Sequence, residues 1–177
     1  LEEYEKEYFQ DFSISASLQD LEVEKWTGQD IFQLFLQIGK ESQKKVKKFS
    51  NYIRLIYVDV VEFQGVHIQK NFNTMRDRYR SYFGPFLKEL QEKGVIRKDI
   101  NPLLGIMSLS MAYFNFFTVE HVFGAKRHFG VAPSQGIEEI ASIYAHGFLS
   151  SNQNSTKSKK KKSKKEAYNK KHKSRTV

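Results

Sequence analysis

The longest regular pattern of apolar residues lies in the segment 66–93. Its apolar side chains recur at steps of three and four residues, which places them on one face of a helix: Phe72, Met75, Tyr79, Phe83, Phe86 and Leu90. Pro85 lies inside this segment and has no backbone donor, so we expect it to kink or interrupt the helix near Tyr82. Gly94 follows as the expected C-terminal cap.

A second segment, 103–123, is apolar on nearly every side. Asn101 and Pro102 precede it as a capping residue and a first-turn proline. A helix that is apolar all round must be covered all round. Asn115, Glu120 and His121 interrupt the apolar sequence, and no run of roughly 18 apolar residues occurs, so we expect no membrane-spanning segment.

The remaining patterned segments complete a bundle of five to six helices. Segment 29–47 has apolar residues at helical spacing, and Ser134 is expected to cap a final amphipathic helix that reaches residue 149. Residues 51–63 are rich in β-branched side chains, which favours a strand. Their apolar spacing fits a helix better and no partner strand is evident, so we predict a helix here and an all-α fold overall.

The two ends of the chain differ from the middle, 13–150, which is the predicted domain. Residues 1–12 read as the end of a charged helix, and because the chain opens on Leu we expect the natural protein to begin upstream. Residues 151–177 hold ten Lys and one Arg against one Glu, so they carry +10 and leave the rest at −1. With so few apolar groups, we expect 151–177 to be a disordered Lys-rich tail.

The sequence offers no constellation for catalysis or metal binding. There is no cysteine, which excludes disulfides and thiolate metal ligands and agrees with a cytoplasmic protein. Four of the histidines do not share the spacing of metal ligands on a helix: His67, His121, His128 and His146. We therefore expect no enzyme activity, no metal site and no cofactor.

The apolar surplus of segment 103–123 predicts a homodimer. One chain covers such a helix on two sides, which leaves a third apolar face beside the final helix, and apolar patches of that size are rare on monomers. We expect the last two helices of two chains to pack as an intermolecular four-helix bundle. The residues expected at this interface are Leu109, Ala112, Tyr113, Phe116, Phe117, Ile137, Ile140, Ala141, Tyr144 and Phe148.

The aromatic stripe of segment 66–93 predicts either plain core or one wall of a small-molecule site. Large aromatic side chains leave irregular gaps, methionines adapt to a ligand, and tyrosines add polar groups. The ligand would be a small apolar or aromatic effector. The residues expected to line its site are Phe35, Tyr57, Val60, Met75, Tyr79, Tyr82, Phe83, Phe86, Met107, Met111 and Phe114.

The run FLKELQEKGVIRKDINPLLGIMSLSMAYFNFF resembles the C-terminal domain of TetR-family repressors. A turn of the form Gly-x-Ile-Arg-x-Asp-x-x-Pro, here Gly94 to Pro102, joins a long helix with an internal proline to a hydrophobic helix. The resemblance covers residues 30–150. It implies an all-α domain that dimerises through its last two helices and binds a small molecule among the preceding ones.

In that family an N-terminal helix-turn-helix reads the operator. We find no such pattern in this sequence, so the resemblance implies that DNA is contacted through a domain outside it, with the two heads of a dimer about 34 Å apart or a multiple of that. The Lys-rich tail is not part of the family pattern. It either solubilises the chain or adds salt-dependent affinity for DNA. The alternative function is a helical scaffold whose tail binds nucleic acid or an anionic membrane surface.

Overall fold

A computed structural model of the chain describes residues 25–151, and these residues form a bundle of five helices. In chain order the helices are α1 Gly28–Lys48, α2 Ser50–Glu62, α3 Val66–Glu92, α4 Pro102–His121 and α5 Pro133–Phe148. Within the described part, extended pairing is limited to an antiparallel bridge between Ile96 and Leu149. The predicted all-α fold is confirmed. The helix predicted at 1–12 and the tail from residue 152 onward lie outside the described residues.

Thr27 begins α1 with a capping box. Its hydroxyl accepts a hydrogen bond from the Gln29 amide at 3.2 Å, and the Asp30 carboxylate accepts one from the Thr27 amide at 2.8 Å. The cap satisfies amides that the first turn of a helix leaves without an intrahelical partner. It fixes the start of a helix whose buried face, including Ile31 and Phe35, packs on α4 and α5.

Residues 50–62 are a helix, as the apolar spacing predicts. Phe49 alone separates α1 from α2: its amide donates to the Lys45 carbonyl at 2.8 Å and its carbonyl accepts from the Ile53 amide at 3.0 Å. Several of the β-branched residues that favour a strand, including Val58 and Val61, lie on the exposed side of this helix. Their density therefore reflects an apolar outer surface of α2 rather than extended structure.

Helix α3 runs unbroken from Val66 to Glu92 with Pro85 inside it. Of the two predicted effects of Pro85, an interruption near Tyr82 is therefore wrong, whereas a kink there stays a prediction. Proline removes one backbone hydrogen bond, but the turns beyond it bury Phe86 and Leu90, and tertiary packing of this kind stabilises a helix more than local propensity does. After the helix ends, Gly94 adopts a φ of 72°, a left-handed conformation that favours glycine.

Helix α4 is the centre of the bundle. It begins as predicted, with the Asn101 side chain accepting from the Leu104 amide at 3.1 Å and Pro102 as its first residue. It contacts each of the other four helices. Helix α4 is also long enough and apolar enough to cross a membrane. Because it packs against other helices on several sides, its position inside the bundle explains the same apolar composition.

Two glycines allow α4 and α5 to pack closely as an antiparallel pair. A Cβ atom on Gly105 would overlap the Phe148 ring, and one on Gly136 would overlap the Phe116 ring.

Helix α5 begins at Pro133 with Ala132 as its capping position and no side-chain cap. The predicted cap at Ser134 is therefore wrong.

Seven of the ten residues predicted for the dimer interface are buried inside one chain. They are Leu109, Tyr113, Phe116, Phe117, Ile137, Ala141 and Phe148. A side chain enclosed by its own molecule has no surface left for a partner, so these seven are corrected to intramolecular core positions. Ala112, Ile140 and Tyr144 are only partly buried and remain at the surface of α4 and α5.

Candidate small-molecule site

A cavity of about 360 Å³ lies between α1, α2, α3 and α4. Its volume falls in the range of small-molecule sites, roughly 300–1,000 Å³. Helix α1 contributes Ile38, Glu41, Ser42 and Lys45, and α2 contributes Tyr52, Ile53, Ile56, Tyr57 and Val60. Helix α3 contributes Ile68, Asn71, Phe72, Met75, Tyr79 and Phe83, and α4 contributes Ser110, Met111, Phe114 and Asn115.

The cavity has a buried end and an open end. At the buried end Ile38, Tyr79 and Phe83 are almost fully enclosed, and the Tyr79 and Phe83 rings stack with centroids 5.5 Å apart. At the open end Tyr57, Val60 and Phe72 are 41%, 51% and 47% exposed. Large apolar side chains at a mouth of this kind give an apolar ligand a route from solvent to the interior.

Two polar pairs interrupt the apolar lining. The Asn71 side-chain amide donates to the Tyr52 hydroxyl at 3.0 Å, and both residues are buried. Deeper in the bundle, the Tyr79 hydroxyl forms a hydrogen bond with Ser110. Burial raises the pKa of Tyr79 above its ordinary value of 10.0 and outweighs the lowering by Ser110, so its phenol is protonated at neutral pH.

The formal charges of the lining cancel. Glu41 and Lys45 lie one turn apart on α1, and the Glu41 carboxylate also accepts from the Lys44 ammonium at 2.8 Å. Such exposed ion pairs contribute little to stability. Because Glu41 and Lys45 carry opposite charges, the lining presents no net charge to a ligand.

The turn between α2 and α3 positions one edge of the mouth. The buried carboxylate of Asp59 accepts from the Ile68 amide at 3.1 Å and lies 2.6 Å from His67 Nδ1. Burial raises the pKa of Asp59, but hydrogen bonds from His67 and Ile68 and the charge of His67 outweigh it and leave that pKa below its ordinary value. Since Val60 and Ile68 flank these contacts in sequence and line the cavity, Asp59 fixes the spacing of α2 and α3 there.

The structure brings seven of the eleven predicted ligand-binding residues into the lining: Tyr57, Val60, Met75, Tyr79, Phe83, Met111 and Phe114. The other four lie outside it. Phe35 is fully buried and makes an edge contact with Phe148 at 5.4 Å, and Phe86 makes one with Trp26 at 4.8 Å. Met107 packs against the core, and Tyr82 is partly exposed.

Sequence reasoning missed the polar part of the lining. The polar C-terminal part of α1, whose sequence predicts a solvent-exposed face, contributes Glu41, Ser42 and Lys45. Ser110 sits within an apolar helix and Asn71 directly precedes Phe72 of the aromatic stripe. At both positions an isolated polar residue lies beside an apolar stripe, and this pattern could have predicted a polar group in the cavity wall.

A second group of titratable residues lies at the end of α4. The buried Glu120 carboxylate accepts from the Arg127 amide at 2.8 Å and lies 3.5 Å from His128 Nδ1. Burial, together with the charges of Lys126 and Lys47, lowers the pKa of His121 despite the opposing effect of Glu120. Among residues 25–151 no three His, Asp or Glu side chains converge as metal ligands. These contacts hold the loop that follows α4 in place.

Comparisons of the chain with protein-family models, curated proteins and solved structures find no match. The function of the site must therefore be inferred from its geometry. The lining combines aromatic and methionine side chains with a few hydroxyl and amide groups, a composition typical of a site that binds a ligand.

Proposed function

We propose that this chain is the ligand-binding and dimerisation part of a TetR-like transcriptional repressor. A small apolar or aromatic effector binds in the cavity between α1 and α4 and shifts the dimer away from its DNA-competent state. The cavity, apolar and aromatic inside and open at one end, is the observation that carries this proposal. DNA would be contacted by a domain outside this sequence, with help from the Lys-rich residues 151–177.

The position of the cavity supports a switching role. The turn from Gly94 to Pro102, on which the family resemblance rests, joins α3 to α4, and both helices line the cavity. A ligand between them favours one spacing of the two helices over another. Moving an equilibrium from 1:99 to 99:1 takes about 5.5 kcal/mol of differential binding. Burying roughly 200 Å² of apolar ligand surface in only one of the two states would supply about 5 kcal/mol.

The surface of α4 and α5 supports a dimer. Leu104 on α4 and Ile143 on α5 are 62% and 68% exposed, although both are large apolar side chains. Ala112, Ile140 and Tyr144 add partly exposed apolar surface on the same two helices. These five residues replace the buried positions as the proposed contact between two copies, since a two-fold interface uses the same patch on both chains.

A cavity-filling variant tests the proposal. Ile56 lines the cavity, whereas the neighbouring Leu55 points to solvent and does not. Indole, quinoline or naphthalene should raise the thermal unfolding midpoint of the full chain and of Leu55→Trp, because a ligand that binds only the folded state stabilises it. Ile56→Trp should abolish that shift. If none of the three compounds stabilises the chain, or if Ile56→Trp responds like the control, the proposal fails.

A further inference from the structure

One end of the bundle exposes a large apolar surface. Among residues 25–151, nine of the thirteen exposed large apolar side chains lie on α2, in the turn after it, on α3 beside it or just after α4. These nine define the α2 surface: Leu55, Tyr57, Val58, Val60, Val61, Phe63, Val66, Phe72 and Phe123. The Tyr57 and Phe123 rings are in contact, with centroids 5.3 Å apart. Apolar patches of this extent mark sites of interaction.

Basic side chains lie around the α2 surface. Residues 40–70 hold seven Lys or Arg against three acidic residues, and Asp59, one of those three, is buried. Lys47 is exposed in the last turn of α1, Arg54 on α2 and Lys70 on α3. The surface therefore offers a partner both apolar contact and positive charge.

We propose that the α2 surface docks this protein on an anionic lipid bilayer. Its apolar side chains would lie at the boundary between headgroups and acyl chains, and its basic side chains among the headgroups. Binding of this kind gains from the apolar area that is buried and from the attraction of Lys and Arg to anionic lipid. The inference goes beyond the repressor function proposed above and does not depend on it.

The charge of the α2 surface argues against two other occupants. A second copy of the chain would place the same basic residues of both copies against each other, because a two-fold contact uses the same patch twice. The phosphate backbone of DNA matches the charge of Arg54, but it offers little apolar surface to Val58 and Val61. A bilayer with anionic headgroups matches both properties.

The mouth of the cavity opens on the α2 surface. Tyr57, Val60 and Phe72 belong both to that surface and to the cavity lining. A ligand apolar enough to bind in this lining also partitions from water into a bilayer. On a docked protein the ligand enters the cavity from the acyl chains without crossing water, whereas an acidic protein on the same residues would close the mouth.

Tryptophan fluorescence tests which residues enter the bilayer. The wild type has one tryptophan, Trp26, which packs on Phe86 and gives the baseline. With vesicles of phosphatidylcholine and phosphatidylserine in equal amounts, Val61→Trp emission should shift to shorter wavelength and be quenched by brominated acyl chains. Ile143→Trp should show neither effect, because Ile143, at 68% exposure against 77% for Val61, lies on α5 outside the α2 surface.

A pair of charge reversals separates the α2 surface from the Lys-rich residues 151–177, which attract anionic vesicles in every variant. Arg54→Glu should weaken binding to these vesicles roughly fivefold or more, the effect of one basic charge near an anionic lipid surface. Lys88→Glu changes the net charge by the same amount, but Lys88 lies in the C-terminal part of α3, away from the α2 surface. It should therefore bind almost like the wild type.

Four results would overturn the proposal. The first is a chain that does not bind vesicles containing phosphatidylserine. The second is a bound chain in which Val61→Trp is quenched no more than Ile143→Trp, which would mean that residues 151–177 alone hold it there. The third is equal binding by Arg54→Glu and Lys88→Glu. The fourth is a Val61→Trp emission that is already at short wavelength without vesicles, or that shifts with duplex DNA instead, which would assign the surface to another part of the chain, a second copy or nucleic acid.

Discussion

The Asp59 carboxylate lies 2.6 Å from His67 Nδ1 across the turn that joins α2 to α3. The N-terminus of α3 is capped by Gly65, which has no side chain to accept a hydrogen bond. Asp59, which lies on the preceding helix α2, provides this cap instead: its carboxylate accepts a hydrogen bond from the Ile68 amide in the first turn of α3. One buried carboxylate thus joins the two helices at the mouth of the cavity.

We expect Asp59→Asn to lower the thermal unfolding midpoint at neutral pH, because an amide is a weaker acceptor than a carboxylate. The folded-state pKa of Asp59 lies below its ordinary value of 3.8. Its ionised form therefore contributes stability above that pH, and the contribution is lost as the pH falls through the folded value. The difference between the wild type and the variant should shrink on acidification below pH 3.8.

Asp77→Asn is the control for Asp59→Asn, since Asp77 is exposed and pairs with the neighbouring Arg76 on the surface of α3. It should have little effect at any pH. A constant difference for Asp59→Asn across the acid range would contradict the assigned role.

Gly136→Ala should destabilise the protein by about 1–3 kcal/mol, the usual cost of overpacking. The added methyl group meets the rigid Phe116 ring and would push α5 away from α4. Gly147→Ala on the same helix is the control, since nothing lies within 4 Å of its Cβ position. It should leave stability unchanged or raise it by up to about 1 kcal/mol. Chemical denaturation measures both, and equal effects would refute close packing at Gly136.

Local capping and helical periodicity were sufficient to predict most of the fold. Asn101 and Pro102 specify the start of α4 through backbone chemistry that acts within four residues, and the apolar spacing of 51–63 identifies a helix despite its β-branched residues. The continuity of α3 through Pro85 could not be predicted in this way. It depends on the burial of Phe86 and Leu90 against other helices, which is a tertiary effect.

The site was predictable only where an apolar stripe meets the cavity. Met75, Tyr79 and Phe83 share one face of α3, and periodicity finds such a face. The sequence does not show how far that face extends along the cavity, so the prediction included Phe86, one turn beyond, which lies outside the lining. It packs on Trp26 instead. The seven buried residues were assigned to the dimer interface for a related reason. The apolar stripes of α4 suggest a face left uncovered, but α1 and α5 cover this helix more completely than those stripes indicate.

Ile143→Glu should convert a dimer into a monomer, because it places a charge in the proposed apolar contact of α5. Light scattering at micromolar concentration measures the mass directly. Val61→Glu is the matched control: Val61 is 77% exposed but lies on α2, away from the proposed interface. A wild-type chain that is already monomeric, or a control that dissociates equally, would contradict the dimer.

Deletion of residues 151–177 should leave the thermal unfolding midpoint nearly unchanged, because their composition offers almost no apolar surface for a core. The deleted segment carries +10, so any affinity for DNA in the full chain should fall, most clearly at low salt. Unfolding and DNA titrations on the same two proteins check both statements. A large loss of stability would show that the segment packs on the bundle.

The three methionines provide the most direct test of the central claim that the cavity binds a ligand. Met75 and Met111 line the cavity, whereas Met107, one turn from Met111, packs against the core outside it. In a nuclear magnetic resonance titration with isotope-labelled methionine methyl groups, indole should shift the Met75 and Met111 signals in a saturable way. The Met107 signal should move much less. Equal shifts for all three methyl groups, or no saturable shift at Met75 and Met111, would contradict the account.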